Sequence, residues 1–174
     1  ILLDAGLAFG TGRAPSTFGC LQAIDDLCRI RPPRTMLDMG TGSGVLAMAA
    51  AKAGARAVLA ADIDPVATEV TRNNVKLNGL SQRIAAITAS KPDDPRLTAA
   101  GPYELVVANI LAGPLCHMAT GLASLVAANG YLVLSGLLAR EERLIVARYR
   151  STGLTLARRI PREGWHTLVF RRRA

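Results

Sequence analysis

Cysteines, aromatic residues and long apolar runs are all scarce in this chain of 174 residues. The three cysteines, Cys20, Cys28 and Cys116, are an odd number and include no Cys-x-x-Cys pair, which argues against a disulfide framework. We therefore expect thiols that act as small core residues in the reducing cytoplasm. The apolar runs end within about ten residues, whereas a transmembrane helix needs about 20, so no membrane span is expected. We find no charged-then-apolar leader segment of the kind that would indicate secretion.

Acidic residues are outnumbered, with 13 against 21 basic residues and a net charge of +8. Aromatic residues make up 4% and hydrophobic residues 50%, so we expect a core built from Ala, Leu and Val within one domain covering residues 1–174. The basic residues are concentrated near the C terminus, at Arg158, Arg159, Arg162, Arg171, Arg172 and Arg173. This cluster favours either a contact with RNA or the ribosome or a solvated arginine-rich surface.

The most informative pattern is a glycine-rich segment, Leu-Asp-Met-Gly-Thr-Gly-Ser-Gly, at residues 37–44. One apolar run ends in Asp38 just before the glycines, and a second ends in Asp62, which is the order of a nucleoside-binding βαβ unit. A dinucleotide fingerprint needs a glycine where this chain has Val45, so nicotinamide-dependent oxidoreduction is disfavoured. The Asp-x-Gly-x-Gly-x-Gly spacing instead resembles the S-adenosylmethionine loop of class I methyltransferases.

Each residue of this motif suits a ligand that carries an ammonium group, a sulfonium and an adenosine. Gly40 and Gly42 lack a Cβ, so the backbone can turn tightly and approach the ligand closely. The helix predicted to start near Gly44 points free N–H groups at the loop, where a carboxylate is favoured. Asp38 can attract the α-ammonium group, and Asp62 can accept hydrogen bonds from both ribose hydroxyls. The competing interpretation is a glycine turn that only joins a strand to a helix.

Strands and helices alternate along the whole chain. Strands are predicted over residues 35–39, 57–62, 84–89, 103–109, 131–137, 154–160 and 165–171, and helices over 16–28, 44–53, 65–78, 114–128 and 140–150. Asp64-Pro65 predicts a helix start, and residues 91–95 are predicted as a polar loop. The pattern predicts an α/β fold: a doubly wound, Rossmann-like, mostly parallel seven-stranded sheet with a C-terminal antiparallel hairpin.

Three further segments narrow the family. They are Ala-Gly-Leu-Ala-Phe-Gly-Thr-Gly at 5–12, Val-Val-Ala-Asn-Ile-Leu-Ala-Gly-Pro-Leu at 106–115 and Gly-Trp-His-Thr-Leu-Val-Phe-Arg-Arg at 164–172. With the glycine loop, they resemble the catalytic domain of the PrmA family, the ribosomal protein L-eleven methyltransferases. The resemblance implies a cytoplasmic enzyme that uses S-adenosyl-L-methionine to methylate lysine and α-amino groups of a large-subunit ribosomal protein. The family's N-terminal substrate-recognition domain is missing from this chain, so we expect a fragment or a truncated homologue.

The resemblance also assigns roles to individual residues. Asn109, at the end of a predicted strand, is implied as the catalytic residue that orients the incoming amine, and it borders the cofactor. Its competing role is to cap the following helix. Phe9, Gly10 and Thr17 are implied cofactor contacts, as is Ile63 in the second acidic segment. For Thr17 the alternative is ordinary hydrogen bonding at a helix N-terminus.

The chain departs from the family pattern just after the first segment. The family has a histidine followed by two threonines, where this chain has Ala14 before Ser16 and Thr17. Ser16 is a conservative replacement, whereas Ala14 removes a side chain next to the expected methyl site. The two histidines, His117 and His166, have no metal-ligand neighbours at a suitable spacing, so we expect no metal site.

Two other classes of function stay open. The chain could be a class I methyltransferase that acts on RNA or a small molecule, with the basic C-terminal strands binding phosphate. It could also be a cofactor-binding module with little activity alone. Radiolabelled methyl groups that enter ribosomal RNA and not ribosomal protein identify the first class, and cofactor binding without turnover identifies the second.

Overall fold

The computed structural model describes residues 1–3 and 14–174. Within them the strands are β1 (Thr35–Met39), β2 (Ala57–Asp62), β3 (Ile84–Thr88), β4 (Tyr103–Asn109), β5 (Val126–Leu138), β6 (Leu154–Arg162) and β7 (Trp165–Arg172). The helices are α1 (Pro15–Ile30), α2 (Val45–Lys52), α3 (Pro65–Leu77), α4 (Pro95–Ala100), α5 (Ala112–His117), α6 (Ala119–Ser124) and α7 (Glu142–Arg150), with a 3₁₀ turn at Ala139–Glu141. None of these helices is both long and apolar enough to cross a membrane.

The strands form one seven-stranded sheet in the order β3-β2-β1-β4-β5-β7-β6. Five neighbouring strands, from β3 to β5, are parallel, and β7 is antiparallel to both β5 and β6. This confirms the predicted doubly wound sheet with a terminal hairpin. The direction of winding reverses between β1 and β4, so the loops after these two strands diverge and leave a crevice at the carboxyl edge of the sheet.

Two apolar layers cover the opposite faces of this sheet. Alternate side chains of β4 enter different layers, as expected for a strand buried on both faces. Helices α1 to α3 pack on one face and α4 to α7 on the other. Cys20 and Cys28 are buried in the first layer, and Cys116 packs partly buried against the second. All three are free thiols. Burial confirms the core role of Cys20 and Cys28, whereas Cys116 is only partly buried.

Local signals at two chain reversals agree with the structure. Asp64 is the N-cap of α3, where its side chain accepts a hydrogen bond of 2.8 Å from the Val66 N–H. At the hairpin, β6 continues to Arg162, so the turn is shorter than the predicted four residues. Its two central residues, Glu163 and Gly164, have φ values of +49° and +79°, the left-handed geometry that suits the twist of a two-residue hairpin.

One helix was missed and one predicted helix was wrong. The polar loop predicted at residues 91–95 is confirmed as far as Asp94, but the short helix α4 that follows it was not predicted. Asp94 caps this helix by accepting a hydrogen bond of 2.9 Å from the Arg96 N–H. The single helix predicted over 114–128 is two short helices that meet at Met118, and β5 already begins at Val126. Asn129-Gly130, the pair that directly follows the predicted helix and was expected to end it, therefore lies inside β5, where the pairing with β4 shifts register.

Candidate functional site

The carboxyl ends of β1, β2 and β4 bring the predicted site residues to one edge of the sheet. Met39, the last residue of β1, pairs with Ala61 on one side and with Ala108 on the other. Asp62 and Asn109 each follow one of these partners directly in sequence. The glycine loop that leaves β1 therefore lies between Asp62 and Asn109, as predicted for a crevice at the switch in strand order.

All three alternating glycines of this loop use backbone geometry that other residues rarely adopt. Gly40, Gly42 and Gly44 have φ values of +78°, +56° and +81°. The Gly40 N–H donates a hydrogen bond of 2.8 Å to the Ala61 carbonyl, which ties the loop to the end of β2. A Cβ at Gly40 would lie only 2.4 Å from Ile110 Cγ2. The loop thus needs glycine for both its conformation and its close packing.

We expect Gly40→Ala to lower the free energy of unfolding more than Gly79→Ala does. Gly79 has φ +68° and no heavy atom within 4 Å of the place that a Cβ would take, so its substitution adds only the left-handed strain of about 1–2 kcal/mol. Gly40 has the same strain plus the overlap with Ile110, which adds about 1–3 kcal/mol. Denaturant unfolding of both variants measures the difference. Equal losses would mean that Ile110 moves aside without a penalty.

Helix α3 holds the far side of the loop through two side chains that sequence reasoning missed. Thr71 Oγ1 donates to the Gly42 carbonyl at 2.9 Å, and Asn74 Nδ2 donates to the Ser43 carbonyl at 2.9 Å. Both side chains are fully buried. Thr71 and Asn74 are three residues apart and therefore share one helix face. Two polar residues on the buried stripe of an amphipathic helix were the signal that could have identified them.

Asp38 is a fully buried carboxylate at the start of the loop. Its Oδ2 accepts hydrogen bonds from Thr41 Oγ1 at 2.7 Å and from the Ala47 N–H at 3.2 Å. Its Oδ1 is buried and has no partner within the described part of the chain. Burial raises the pKa of Asp38 from 3.8 to about 6, against the lowering effect of these hydrogen bonds. An unpartnered, buried carboxylate oxygen suits a cationic group such as an ammonium.

Asp62 supports the loop as well as facing the crevice. Its Oδ2 accepts a hydrogen bond of 2.9 Å from the Gly42 N–H, and its Oδ1 accepts one of 3.0 Å from the Asp64 N–H. Each carboxylate oxygen has a second lone pair, so both remain able to accept a ribose hydroxyl. Ile63 follows with its side chain 70% exposed and open to an adenine ring. Ribose and adenine binding at these two residues stay predictions.

Asn109, at the end of β4, is joined to helix α1. Its Nδ2 donates a hydrogen bond of 3.3 Å to Thr17 Oγ1, while its Oδ1 is buried and unpartnered among the residues described. The alternative role of Asn109 as a helix cap is wrong, because the N-cap of α5 is Leu111 and no side chain caps it. The predicted cofactor contacts Phe9 and Gly10 lie outside the described residues. Ala14, at the histidine position of the family motif, is the exposed N-cap of α1.

Most of the basic C-terminal cluster is engaged within the chain. Arg158 Nη1 lies 2.5 Å from Asp26 Oδ2, and Arg159 Nε lies 2.5 Å from Glu142 Oε1. The guanidinium of Arg162 stacks on the Phe18 ring at 3.8 Å from its centroid. Further internal contacts join Arg172 Nη2 to the Ala123 carbonyl and His166 Nδ1 to Glu142 Oε2. These contacts favour a structural role for the cluster over a free nucleic-acid surface.

The unpartnered acceptor groups at the crevice fit S-adenosylmethionine. Across residues 1–3 and 14–174, no three His, Cys, Asp or Glu side chains are grouped so that they could hold a metal ion. Among the residues that the structure describes, two buried oxygens, Asp38 Oδ1 and Asn109 Oδ1, have no hydrogen-bond donor. A ligand with an ammonium group and an approaching amine would supply the missing donors.

Comparison with known proteins identifies the family. The family model described as "Ribosomal protein L11 methyltransferase (PrmA)" matches residues 1–173. The chain belongs to this family. It is 47% identical over 172 residues to a ribosomal protein L11 methyltransferase of Rhizobium leguminosarum bv. trifolii (strain WSM2304), a match that covers 99% of this chain and 59% of the relative. This PrmA-family chain therefore spans well under two thirds of the length of that relative.

Two solved structures resemble this PrmA-family chain. The crystal structure of ribosomal protein L11 methylase from Lactobacillus delbrueckii subsp. bulgaricus is 31% identical, with a TM-score of 0.86 over 99% of this chain and 84% of that one. N-methyltransferase NodS from Bradyrhizobium japonicum WM9, solved in complex with S-adenosyl-L-homocysteine, is 14% identical with a TM-score of 0.72. That match covers 92% of this chain and 89% of NodS, and it supports the fold alone.

Proposed function

We propose that the chain is the catalytic part of an S-adenosyl-L-methionine-dependent protein methyltransferase. Its substrates would be lysine and α-amino groups of a large-subunit ribosomal protein, the substrate in the names of its relatives. One observation carries the proposal: the glycine loop, Asp62 and two buried acceptors, on Asp38 and Asn109, meet at one edge of the sheet, and neither acceptor has a partner within residues 1–3 and 14–174. We also propose that the protein acts in the cytoplasm, where ribosomal proteins are made.

The residues divide into a binding group and an aligning group. Asp38 would hold the ammonium of the cofactor, the glycine loop would approach its backbone closely, and Asp62 would accept the ribose hydroxyls. When bound, the cofactor supplies a sulfonium methyl group that is already activated for displacement. Asn109 Oδ1 would accept one N–H of the incoming amine, which directs the nitrogen lone pair away from the amide and toward the methyl group.

The acceptor amine must be neutral to attack, since a protonated amine has no lone pair. A lysine amine has an ordinary pKa of about 10.4, so only a small fraction is neutral near pH 7. Within the described residues, no side chain at the crevice edge stands out as a dedicated base. Loss of the proton to water before the attack is sufficient in principle, and the protein then contributes alignment and exclusion of water.

The proposal is tested with the 174-residue chain, purified ribosomal protein and ribosomal RNA. We expect the chain to bind S-adenosyl-L-homocysteine in calorimetric titration and to bind NAD more weakly or not at all. We expect radiolabelled methyl groups to enter the protein. Tighter binding of NAD would contradict the cofactor, and label only in RNA would reassign the substrate. The relatives are longer than this chain, and the family resemblance implies an N-terminal substrate-recognition domain. A fusion of such a domain to this chain is the comparison for a slow reaction.

A further inference from the structure

The strand beside Asn109 carries a bulge at the edge of the crevice. Ser135 of β5 pairs with Asn109, the last residue of β4. On its other side, the pairing of β5 with β7 shifts register between Leu134 and Leu137. Gly136 lies in this bulge with φ +81°, a left-handed geometry that glycine adopts readily. The bulge therefore lies next to the residue proposed to align the amine.

Gly136 packs against the main chain that follows Asn109. A Cβ at Gly136 would lie 2.4 Å from the carbonyl oxygen of Ile110, 2.7 Å from its carbonyl carbon and 3.0 Å from its nitrogen. Ordinary C···O contacts are about 3.3 Å or longer, so an alanine there would have to move the Ile110 backbone or its own strand by about 1 Å. Because the atoms involved belong to the main chain, no side-chain rotation relieves the overlap.

Ile110 also joins the amine site to the glycine loop. Its Cγ2 would lie 2.4 Å from a Cβ at Gly40, so the Ile110 side chain uses the space that this glycine leaves open. Ile110 is thus packed between two glycines, with its main chain against β5 and its side chain against the loop. Since Ile110 is bonded directly to Asn109, its position limits where the Asn109 amide can lie.

We propose that Gly136 is a positioning residue for methyl transfer. Because it has no Cβ, it lets β5 hold the Ile110 peptide where the Asn109 amide meets the acceptor amine. The inference rests on the proposed function. A shift of about 1 Å in an aligning group can lower a rate by about 100-fold, whereas the proposed cofactor contacts are spread over the glycine loop, Asp38 and Asp62. Loss of this close approach should therefore lower kcat more than it lowers cofactor affinity.

Gly136→Ala and Gly153→Ala are a matched pair for kinetics. Gly153 has φ +85°, no described heavy atom within 4 Å of the place that a Cβ would take, and a position at the sheet edge opposite the crevice. Both variants carry similar left-handed strain, but only the first displaces Ile110. At saturating substrates we expect Gly136→Ala to lower kcat per folded molecule about 10- to 100-fold, with a smaller loss of S-adenosyl-L-homocysteine affinity, and Gly153→Ala to change neither. An unchanged kcat in folded Gly136→Ala would overturn the proposal.

A double-mutant comparison tests whether the effect acts through Asn109. In the Asn109→Ala background, Gly136→Ala should lower kcat by less than about threefold, because the amide that it positions is gone. Any loss of cofactor affinity, which acts through Ile110 and the glycine loop, should remain in that background. The same loss of kcat in both backgrounds would indicate a general structural role and would contradict the proposal.

NMR of the unliganded chain tests the contact without an activity measurement. The backbone amide signal of Ile110 and the side-chain NH₂ signals of Asn109 should shift in Gly136→Ala and stay in place in Gly153→Ala. Signals that stay in place in both variants would refute the proposed contact. An inactive wild type would refute the proposed function, and the NMR comparison would still decide whether Gly136 positions Ile110 and Asn109.

Ser135→Ala replaces Gly136→Ala if the latter does not fold. Ser135 Oγ joins the bulge to β7 through hydrogen bonds of 2.8 Å with Thr167 Oγ1 and 3.1 Å with the His166 carbonyl. Their loss should loosen the bulge, shift the same NMR signals and lower kcat at least about threefold, with a smaller effect in the Asn109→Ala background. Wild-type signals and wild-type kcat in this variant would count against the proposal.

Discussion

Asn109→Ala should slow methyl transfer by about 100-fold or more while S-adenosyl-L-homocysteine affinity changes by less than about fivefold. The amide lies at the end of β4 with its Oδ1 buried and unpartnered among the described residues, ready to accept from the incoming amine. Alignment of the amine matters mainly in the transition state, so its loss lowers kcat more than it weakens ground-state binding. Single-turnover rates at saturating cofactor, together with calorimetric titration, measure the two quantities separately.

Asn73→Ala is the matched control, because Asn73 is an exposed asparagine on α3. It should change neither rate nor affinity. If Asn109→Ala weakens cofactor binding as much as it slows transfer, Asn109 is a cofactor ligand and not an aligning group. A variant as active as the wild type would place amine alignment on another side chain.

Short-range signals predicted most of the fold, and the errors show where such signals end. Asp64-Pro65 predicted the start of α3 because the cap and the helix are adjacent in sequence. Asp94-Pro95 carries the same signal, and α4 was still missed because the polar residues around it suggested a loop. The region after Pro114 was predicted as one helix from its apolar spacing. There the pairing of Val126 with Tyr103 of β4 overrides the local preference and starts a strand.

At the site, too, short-range patterns were predictable and long-range contacts were not. Asp38, the glycines and Asp62 were found because they are concentrated at the ends of two successive predicted strands. The hydrogen bonds from Thr71 and Asn74 to the loop, and the one from Asn109 to Thr17, join residues that are 29 to 92 positions apart. Such pairs depend on how α1 and α3 pack on the sheet. The sequence could suggest one residue of such a pair, but it could not show which residue that side chain contacts.

Acidification below about pH 6 should weaken S-adenosyl-L-homocysteine binding through Asp38, by up to about tenfold for each pH unit. Burial raises the pKa of this carboxyl to about 6 in the unliganded chain, with repulsion from Asp62 adding to the effect. The ligand's ammonium favours the ionised carboxylate, so protonation competes with binding. Titrations between pH 5 and 8 should show affinity falling with acidification in the wild type. The Asp38→Asn variant should bind S-adenosyl-L-homocysteine more weakly than the wild type at pH 8, and its affinity should change little between pH 5 and 8.

The raised pKa of Asp38 has the opposite effect on the stability of the unliganded chain, which we expect to increase on acidification. The folded-state pKa lies above the ordinary value of 3.8, so the folded chain binds more protons than the unfolded chain between about pH 4 and 6. The contribution of Asp38 to the free energy of unfolding therefore declines as the pH rises through this window, by on the order of 3 kcal/mol. The difference between wild type and Asp38→Asn in denaturant unfolding at pH 4 and pH 8 isolates this contribution, since other carboxylates titrate equally in both. If that difference is the same at both pH values, the Asp38 carboxyl has an ordinary pKa, and the loss of affinity on acidification must come from another group. If that difference changes with pH as expected, the buried Asp38 charge lowers the stability of the unliganded chain. The charge is then retained because the ligand's ammonium group compensates for it.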